Sequence, residues 1–525
     1  MMDNIETVQA ADRLHGESGS ATEALLDVAP RAAGAVARVD ETGAELKRGA
    51  FLNTIAMLAS NLRGIFTFLV ARLLGPAALG TFSVAWANTD LASKIAVFGL
   101  DNAITTLIAR SQATGDFARS RTLFRAAVVL VLTQSCVVAA IGITVLQIFG
   151  DRLQFPREMV SALAFVLCAL PGVALYRVCT SISRGMKVMQ HDIFSRGMTE
   201  PVITTLALLI AIGVGFTRFA PEIAAVSGTA ASAIVALIFA SRLFSGVTAR
   251  DSVSIWTEAK PLLAYGAPIS IYQMLNAFIL RLDVIMLGWF IGRAPGVTLA
   301  TVGVYSATVE LAGGLRKVNQ TFNPIFAPVV AGMTATGNQQ SAAATYTRLA
   351  EWMLWILLPL VAVMTLAGSV ILLIYGPAFT QGGAWLGIVG IACATNAFVS
   401  LGETVIMVQR PHLNLLNSSV TCAVAFGANL WLIPRFGMMG AAFGILLPYV
   451  IQGILRYGVL RLVFRWPTSW NSIRRPIFTA IIAFVPALMS RFLLGGNAGQ
   501  LVAGFVFIAI FGLGWLRYRS LIKPA

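Results

Sequence analysis

Apolar runs of about twenty residues, parted by short polar joints, recur from Phe51 to Leu516, the length at which an α-helix crosses roughly 30 Å of hydrocarbon. About fourteen such runs can be counted. The first two cover 50–74 and 79–101, the seventh and eighth 262–291 and 302–328. Alternating segments of about ten residues, which a transmembrane barrel would need, are not seen. The pattern predicts an all-α integral membrane protein, and an even number of spans places both termini on one side.

Inside four of these runs the pattern is interrupted by polar stripes. On the eighth span Ser306, Glu310, Gly313, Lys317 and Gln320 follow helical spacing, and on the second so do Ser83, Asp90 and Lys94. The seventh carries Ser270, Gln273 and Arg281 on one stripe with Asn276 and Asp283 beside it; the first carries Asn53, Ser60 and Arg63. Five cations, Arg63, Lys94, Arg281, Arg316 and Lys317, thus sit near mid-span. A charge at bilayer depth costs a few kcal/mol, so it is expected to face a water-filled cavity or a partner. The functional reading is a central cavity whose cations attract an anionic headgroup, with Arg suited to fork onto phosphate oxygens. The structural reading pairs Asp90 with Lys94, Arg281 with Asp283, and Glu310 with Lys317 as helix-holding neutral units. Concentration on four spans favours the cavity. Arg63, with no acid near it in sequence, is the leading candidate for an unneutralised charge.

The second and eighth spans are related. LGTFSVA from Leu79 matches VGVYSAT from Val302, and ATGD from Ala113 matches ATGN from Ala335, at offsets of 222 to 223 residues. Lys94 then corresponds to Lys317. Both halves begin from the same side, as in transporters built of parallel repeats with the substrate site between them. Arg125, Arg177 and Arg456 lie close enough to span ends to snorkel and receive no role. Glu200 and Glu403 lack an obvious local partner; each is read as a helix-packing group before a protonatable coupling group. Gly266, Pro268, Gly313, Gly314, Pro324 and Pro328 would let spans seven and eight bend.

Composition agrees: 57% of residues are apolar and 12% charged, with mean hydropathy +0.79, against a charged share near ~25% in soluble domains. Residues 1–48 hold nine acids and five bases, read as a disordered tail rather than a signal peptide. The remainder carries 33 bases against 14 acids, a net +19. With both termini cytoplasmic, twenty bases fall on inner segments and seven on outer ones, the positive-inside bias. The five cysteines lie in apolar runs without ligand spacing, and no phosphate loop, HExxH, CxxC or GxSxG segment is present. No joint is long enough for a catalytic domain, so neither an enzyme, a cofactor, a metal nor a nucleic-acid partner is expected.

Several segments carry a family resemblance: ARLLGPAALGTFSVA from Ala71, YGAPISIYQMLNAFILRLDVIMLGWFIG from Tyr265, VGVYSATVELAG from Val302, IYGPAFTQGGAWLGIVG from Ile374 and NLWLIPRFGMMGAAFG from Asn429. They resemble the bacterial polysaccharide transporters, the O-antigen and teichoic-acid flippases of the multidrug/oligosaccharidyl-lipid/polysaccharide superfamily. The resemblance covers residues 49 to 465 well and the last two spans loosely. It implies two pseudo-symmetric six-helix lobes, here 49–248 and 249–465, plus two C-terminal helices within 466–525, around a central cavity. It further implies alternating access, an oligosaccharide on a polyprenyl pyrophosphate as substrate, a bacterial inner-membrane location, and surrounding lipids, a polysaccharide polymerase and assembly proteins as partners. Arg63, Lys94, Arg281, Arg316 and Lys317 are then the cavity cations, and Asp90, Asp283, Glu310 and Glu403 the cavity or coupling acids. Two rivals stand beside this: a drug/sodium or proton antiporter of the same superfamily, which would need carboxylates to dominate, and a peptidoglycan-precursor flippase with the same charge logic.

Overall fold

The computed structural model describes residues 64–150, 155–246, 255–466 and 470–522. Arg63, Asn53, Ser60 and the 1–48 tail lie outside the described residues. The described residues are almost wholly helical: α1 (Gly64–Val97), α2 (Leu100–Ala113), α3 (Phe117–Phe149), α4 (Arg157–Leu167), α5 (Leu170–Gly185) and the single turn α6 (Gln190–Asp192). A π-helical turn, Ile193–Thr199, leads into α7 (Glu200–Gly213), followed by α8 (Ala220–Arg242), α9 (Ile255–Trp289), α10 (Leu299–Ala335) and α11 (Gln339–Leu366). Then come the short α12 (Gly368–Leu372), α13 (Gly383–Gln409), α14 (Pro411–Gly458), α15 (Trp470–Leu494) and α16 (Gly496–Ile522).

Among the described residues, eleven helical stretches are long and apolar enough to cross a membrane. Two of these fold back on themselves. The rings of Phe66 and Phe82 would stand about 24 Å apart on a straight helix, yet their centroids are 5.2 Å apart; the chain reverses at Gly75, whose φ of 84° suits glycine. Likewise Asn429 donates to the carbonyl of Gly444 at 3.2 Å across the reversal at Gly437 (φ 54°). α10 is also long enough at 37 residues, though Glu310, Arg316 and Lys317 lower its hydropathy. Each expected apolar run therefore has a helical counterpart, the first of them only from Gly64 onward.

The ATGD and ATGN segments form the same loop bond for bond. Gly115 and Gly337 have φ 73° and 75°. Asp116 N–H donates to the Ser111 carbonyl at 3.0 Å, and Asn338 N–H to that of Met333 at 2.9 Å. The side chains of Asp116 and Asn338 then cap the next helix, accepting from Arg119 N at 3.0 Å and Ser341 N at 3.1 Å. The small, positive-φ residue ends one helix and the acceptor side chain starts the next, so the repeated letters encode a helix-to-helix turn.

The repeats meet through backbone. A Cβ placed on Gly80 would collide with the Leu299 carbonyl and stand 2.9 Å from Gly303 N; one on Gly303 would collide with the Pro76 carbonyl and stand 2.9 Å from Gly80 N. These positions are repeat equivalents, so the contact is reciprocal. Toward the other end of the second span, Gly99 and Gly266 also approach backbone to backbone. Helix α9 serves both sides: Ala259 and Leu262 belong to one buried cluster with residues of α2, α3 and α5, whereas Leu282 and Leu287 belong to another with α10, α13 and α14. Helices α15 and α16 pack on α11 through Phe507, Phe511 and Ala483.

Candidate functional site

A cavity of about 110 Å³ opens between α1, α7, α8, α9 and α10. Its walls come from both repeats. Phe66, Phe82 and Trp86 give an aromatic side, while Ser83 and Ser306, which are repeat equivalents, face it with Glu200, Arg281 and Glu310. Glu200 is 4% exposed; α8 presents Gly228 where α7 crosses, against Thr204 and the Glu200 carbonyl, and lets the helices approach closely. Glu310, by contrast, is exposed.

Beside the cavity, one carboxylate gathers two guanidiniums. Asp90 Oδ1 accepts from Arg177 Nη2 at 2.8 Å and Asp90 Oδ2 from Arg281 Nε at 3.1 Å. The three side chains are 20%, 16% and 35% exposed, enough for water or a ligand to reach Arg281. They come from α1, α5 and α9, so the cluster joins the two repeats. Lys94, one turn beyond Asp90, is half-buried and has no ion-pair partner among the described residues; Arg177, Asp90, Asp101 and Arg196 are the charges around it. Two guanidiniums and an ammonium around one carboxylate leave a surplus of positive charge.

The local pairings expected from spacing give way to pairings between helices. Asp90 bonds not Lys94 but Arg177 and Arg281. Asp283 does not pair with Arg281: it is 1% exposed and accepts from the Tyr305 hydroxyl at 2.8 Å. Arg316 lies in that same buried knot, with Asp283, Cys393 and Tyr449 as its charged and polar neighbours. Glu403 accepts from Arg456 Nη2 at 2.8 Å and from the Tyr272 hydroxyl, which accepts in turn from Asn414 at 3.0 Å. The candidates therefore divide into groups. Asp90, Lys94 and Arg281 cluster at the cavity's edge and Glu310 stands on its wall. Asp283 and Arg316 form one interior knot, Glu403 another, and Lys317 is half-buried on α10.

Snorkelling does not describe Arg177 or Arg456. Arg456 is 2% exposed, its head buried between α13 and α14. Arg177 sits on α5, where twelve of sixteen residues are buried, leaving little lipid-facing side along which a side chain could reach the interface. The signal was in the composition of α5: Tyr176, Cys179, Thr180, Ser181 and Ser183 surround Arg177, a helix without the broad aliphatic face of a peripheral span.

The family model for "polysaccharide biosynthesis protein" matches residues 46–331, over half of the chain. No curated protein matches the sequence. Among solved structures, the fold is similar to lipid II flippase MurJ in an inward closed conformation (TM-score 0.70, 12% identity, covering 90% of this chain and 100% of that one). It is similar too to a multidrug resistance MATE family transporter of the MOP superfamily in an inward-facing conformation (TM-score 0.67, 14% identity, 77% and 94% covered). A third is a MOP superfamily transporter from Pyrococcus furiosus (TM-score 0.54, 14% identity, 79% and 94% covered).

Proposed function

The chain belongs to the polysaccharide biosynthesis protein family, and from that premise we propose that it is a flippase for a polyprenyl-pyrophosphate-linked oligosaccharide. The substrate passes from the cytoplasmic to the outer leaflet of a bacterial inner membrane by alternating access, supplying O-antigen, capsule or exopolysaccharide assembly. The observation that carries this reading is the sharing of Asp90 by Arg177 and Arg281, one from each repeat, at the cavity's edge. A pyrophosphate offers more negative charge and more acceptor oxygens than one carboxylate, and guanidinium forks match them. It would displace Asp90 from both arginines while Lys94 adds a further cation. Asp90 is then a stand-in anion that holds the two repeats together when no substrate is bound. Because the arginines ride on different repeats, their spacing changes as the repeats move, and with it the affinity for the headgroup.

The charge bias supports cytoplasmic termini, which would put the Gly80 and Gly303 contact at the outer end and the Gly99 and Gly266 contact, at the other end of the same span, on the inner side.

A second reading, exchange of a cationic drug against an ion, is favoured by Glu310 and Glu200 on the cavity wall. Export of surface polymer in cells lacking the native gene separates the two. Arg281→Ala and Lys94→Ala should each abolish polymer while the protein stays in the membrane. Wild-type polymer from both variants would overturn the anionic-cavity reading. Export that survives both but fails with Glu310→Gln would favour the antiporter. Sugar analysis of the lipid-linked intermediate that accumulates distinguishes surface-polymer units from a peptidoglycan precursor.

A further inference from the structure

Between Ser83 and Asp90 on α1 stands Trp86, one turn from the Asp90 carboxylate, about 6 Å along the helix. We infer that Trp86 is the platform for the sugar ring that follows the pyrophosphate, so that it sets affinity for the saccharide while Arg281 and Arg177 set affinity for the phosphates; this rests on the flippase reading above. The indole is held from behind. Phe82 stacks on it at 6.0 Å and 21°, and Phe66 meets Phe82 edge-on at 5.2 Å and 74°. All three rings line the cavity, Phe82 and Phe66 at 8% and 4% exposure and Trp86 half-buried, so Trp86 is the most open of them. A ring already immobilised loses little freedom when a ligand stacks on it.

The polar groups around it suit a sugar and not a lipid tail. The Trp86 indole N–H has no hydrogen-bond partner among the described residues. Ser83, Thr67, Ser306 and the exposed carboxylate of Glu310 line the same space. The Ser306 hydroxyl donates to the Val302 carbonyl at 2.9 Å and so offers its lone pairs. A pyranose combines an apolar C–H face with a rim of hydroxyls, matching an aromatic wall with a few placed polar groups. A polyprenyl chain in this cavity would strip water from Glu310 and Arg281 and return no hydrogen bond.

The test uses the purified full-length protein and two probes: a short-chain polyprenyl pyrophosphate, and the same molecule bearing one N-acetylhexosamine. Calorimetric titration of the wild type should show tighter binding of the glycosylated probe. Trp86→Ala should weaken that probe about tenfold and leave the bare pyrophosphate within about twofold, as expected for loss of one aromatic contact. Trp86→Phe, which keeps a ring against Phe82, should retain most of the preference and covers the case in which the alanine variant fails to fold. Equal weakening of both probes, or no change in the glycosylated one, overturns the inference and makes Trp86 a structural prop. A wild type that binds the bare probe but gains nothing from the sugar overturns it as well, with the flippase reading intact. A wild type that binds neither probe removes the flippase reading and this inference together.

Discussion

The two repeats share their turns and seam glycines but differ in the helix between them. In the first, the stretch from Leu79 to Ala113 breaks at Phe98 and Gly99, with φ 46° and 71°; in the second, Val302 to Ala335 runs unbroken within α10. The first stretch is longer by one residue, the source of the shift in offset from 223 to 222, and the break is where that residue is absorbed. Gly99 accepts it because its neighbour across the break is the backbone of Gly266, which leaves no room for a Cβ. The charges differ as well. Asp90 has Gly313 as its counterpart, so this carboxylate has no equivalent in the second repeat; Glu258, which accepts from Arg119 at 3.0 Å, is another acid drawn between the repeats. One acid of the second repeat, Glu403, is bonded by Arg456 of the same repeat. An ion pair closed within one repeat moves with it, whereas one drawn between repeats must open and close when they rock.

The largest effect is expected from moving the acid. Asp90→Gly should remove polymer export, and adding Gly313→Asp to it should not restore export although total charge is unchanged; recovery in the double variant would mean that the position of the acid is immaterial. Next, Glu403→Gln strands Arg456, which is 2% exposed, and should lower folding stability by about 3–5 kcal/mol, seen as a lower melting temperature in detergent. Arg281→Ala, at 35% exposure, should move that temperature far less while abolishing export. Gly80→Ala and Gly303→Ala should be alike, each costing about 1–3 kcal/mol of overpacking against rigid backbone; a harmless alanine at either would remove the seam from consideration. Phe98→Gly should stabilise by about 1 kcal/mol by relieving a left-handed non-glycine residue. The smallest change should come from the caps: Asp116→Ala and Asn338→Ala are each expected to cost about 1 kcal/mol or less, equally in thermal melts.

The helices were legible in the sequence because hydrocarbon thickness sets one length scale and apolar runs display it directly. The repeated turns were legible as letters, and their hydrogen bonds explain why Gly115, Asp116, Gly337 and Asn338 carry the likeness. The break at Phe98 was hidden: the run 79–101 reads as continuous, and only the one-residue change in offset hinted at an insertion. Partner choice was hidden more deeply. Spacing of three or four residues makes neighbours on one helix visible, so Asp90 was matched to Lys94; which guanidinium comes from α5 or α9 depends on helix packing, which spacing does not contain. Arg177 and Arg456 were set aside for the same reason, since distance from a span end says nothing of whether that span touches lipid.

The contact of Gly80 with Gly303 maps onto itself when the two repeats are exchanged. It is the contact that two copies of a half-length chain would make about a two-fold axis, where each surface must complement itself. Joined in one chain, the two positions are free to diverge, yet each still supplies the space into which the other fits. Drift at one glycine is thus tolerable only in company with a change at the other, and the pair should be inherited as a unit.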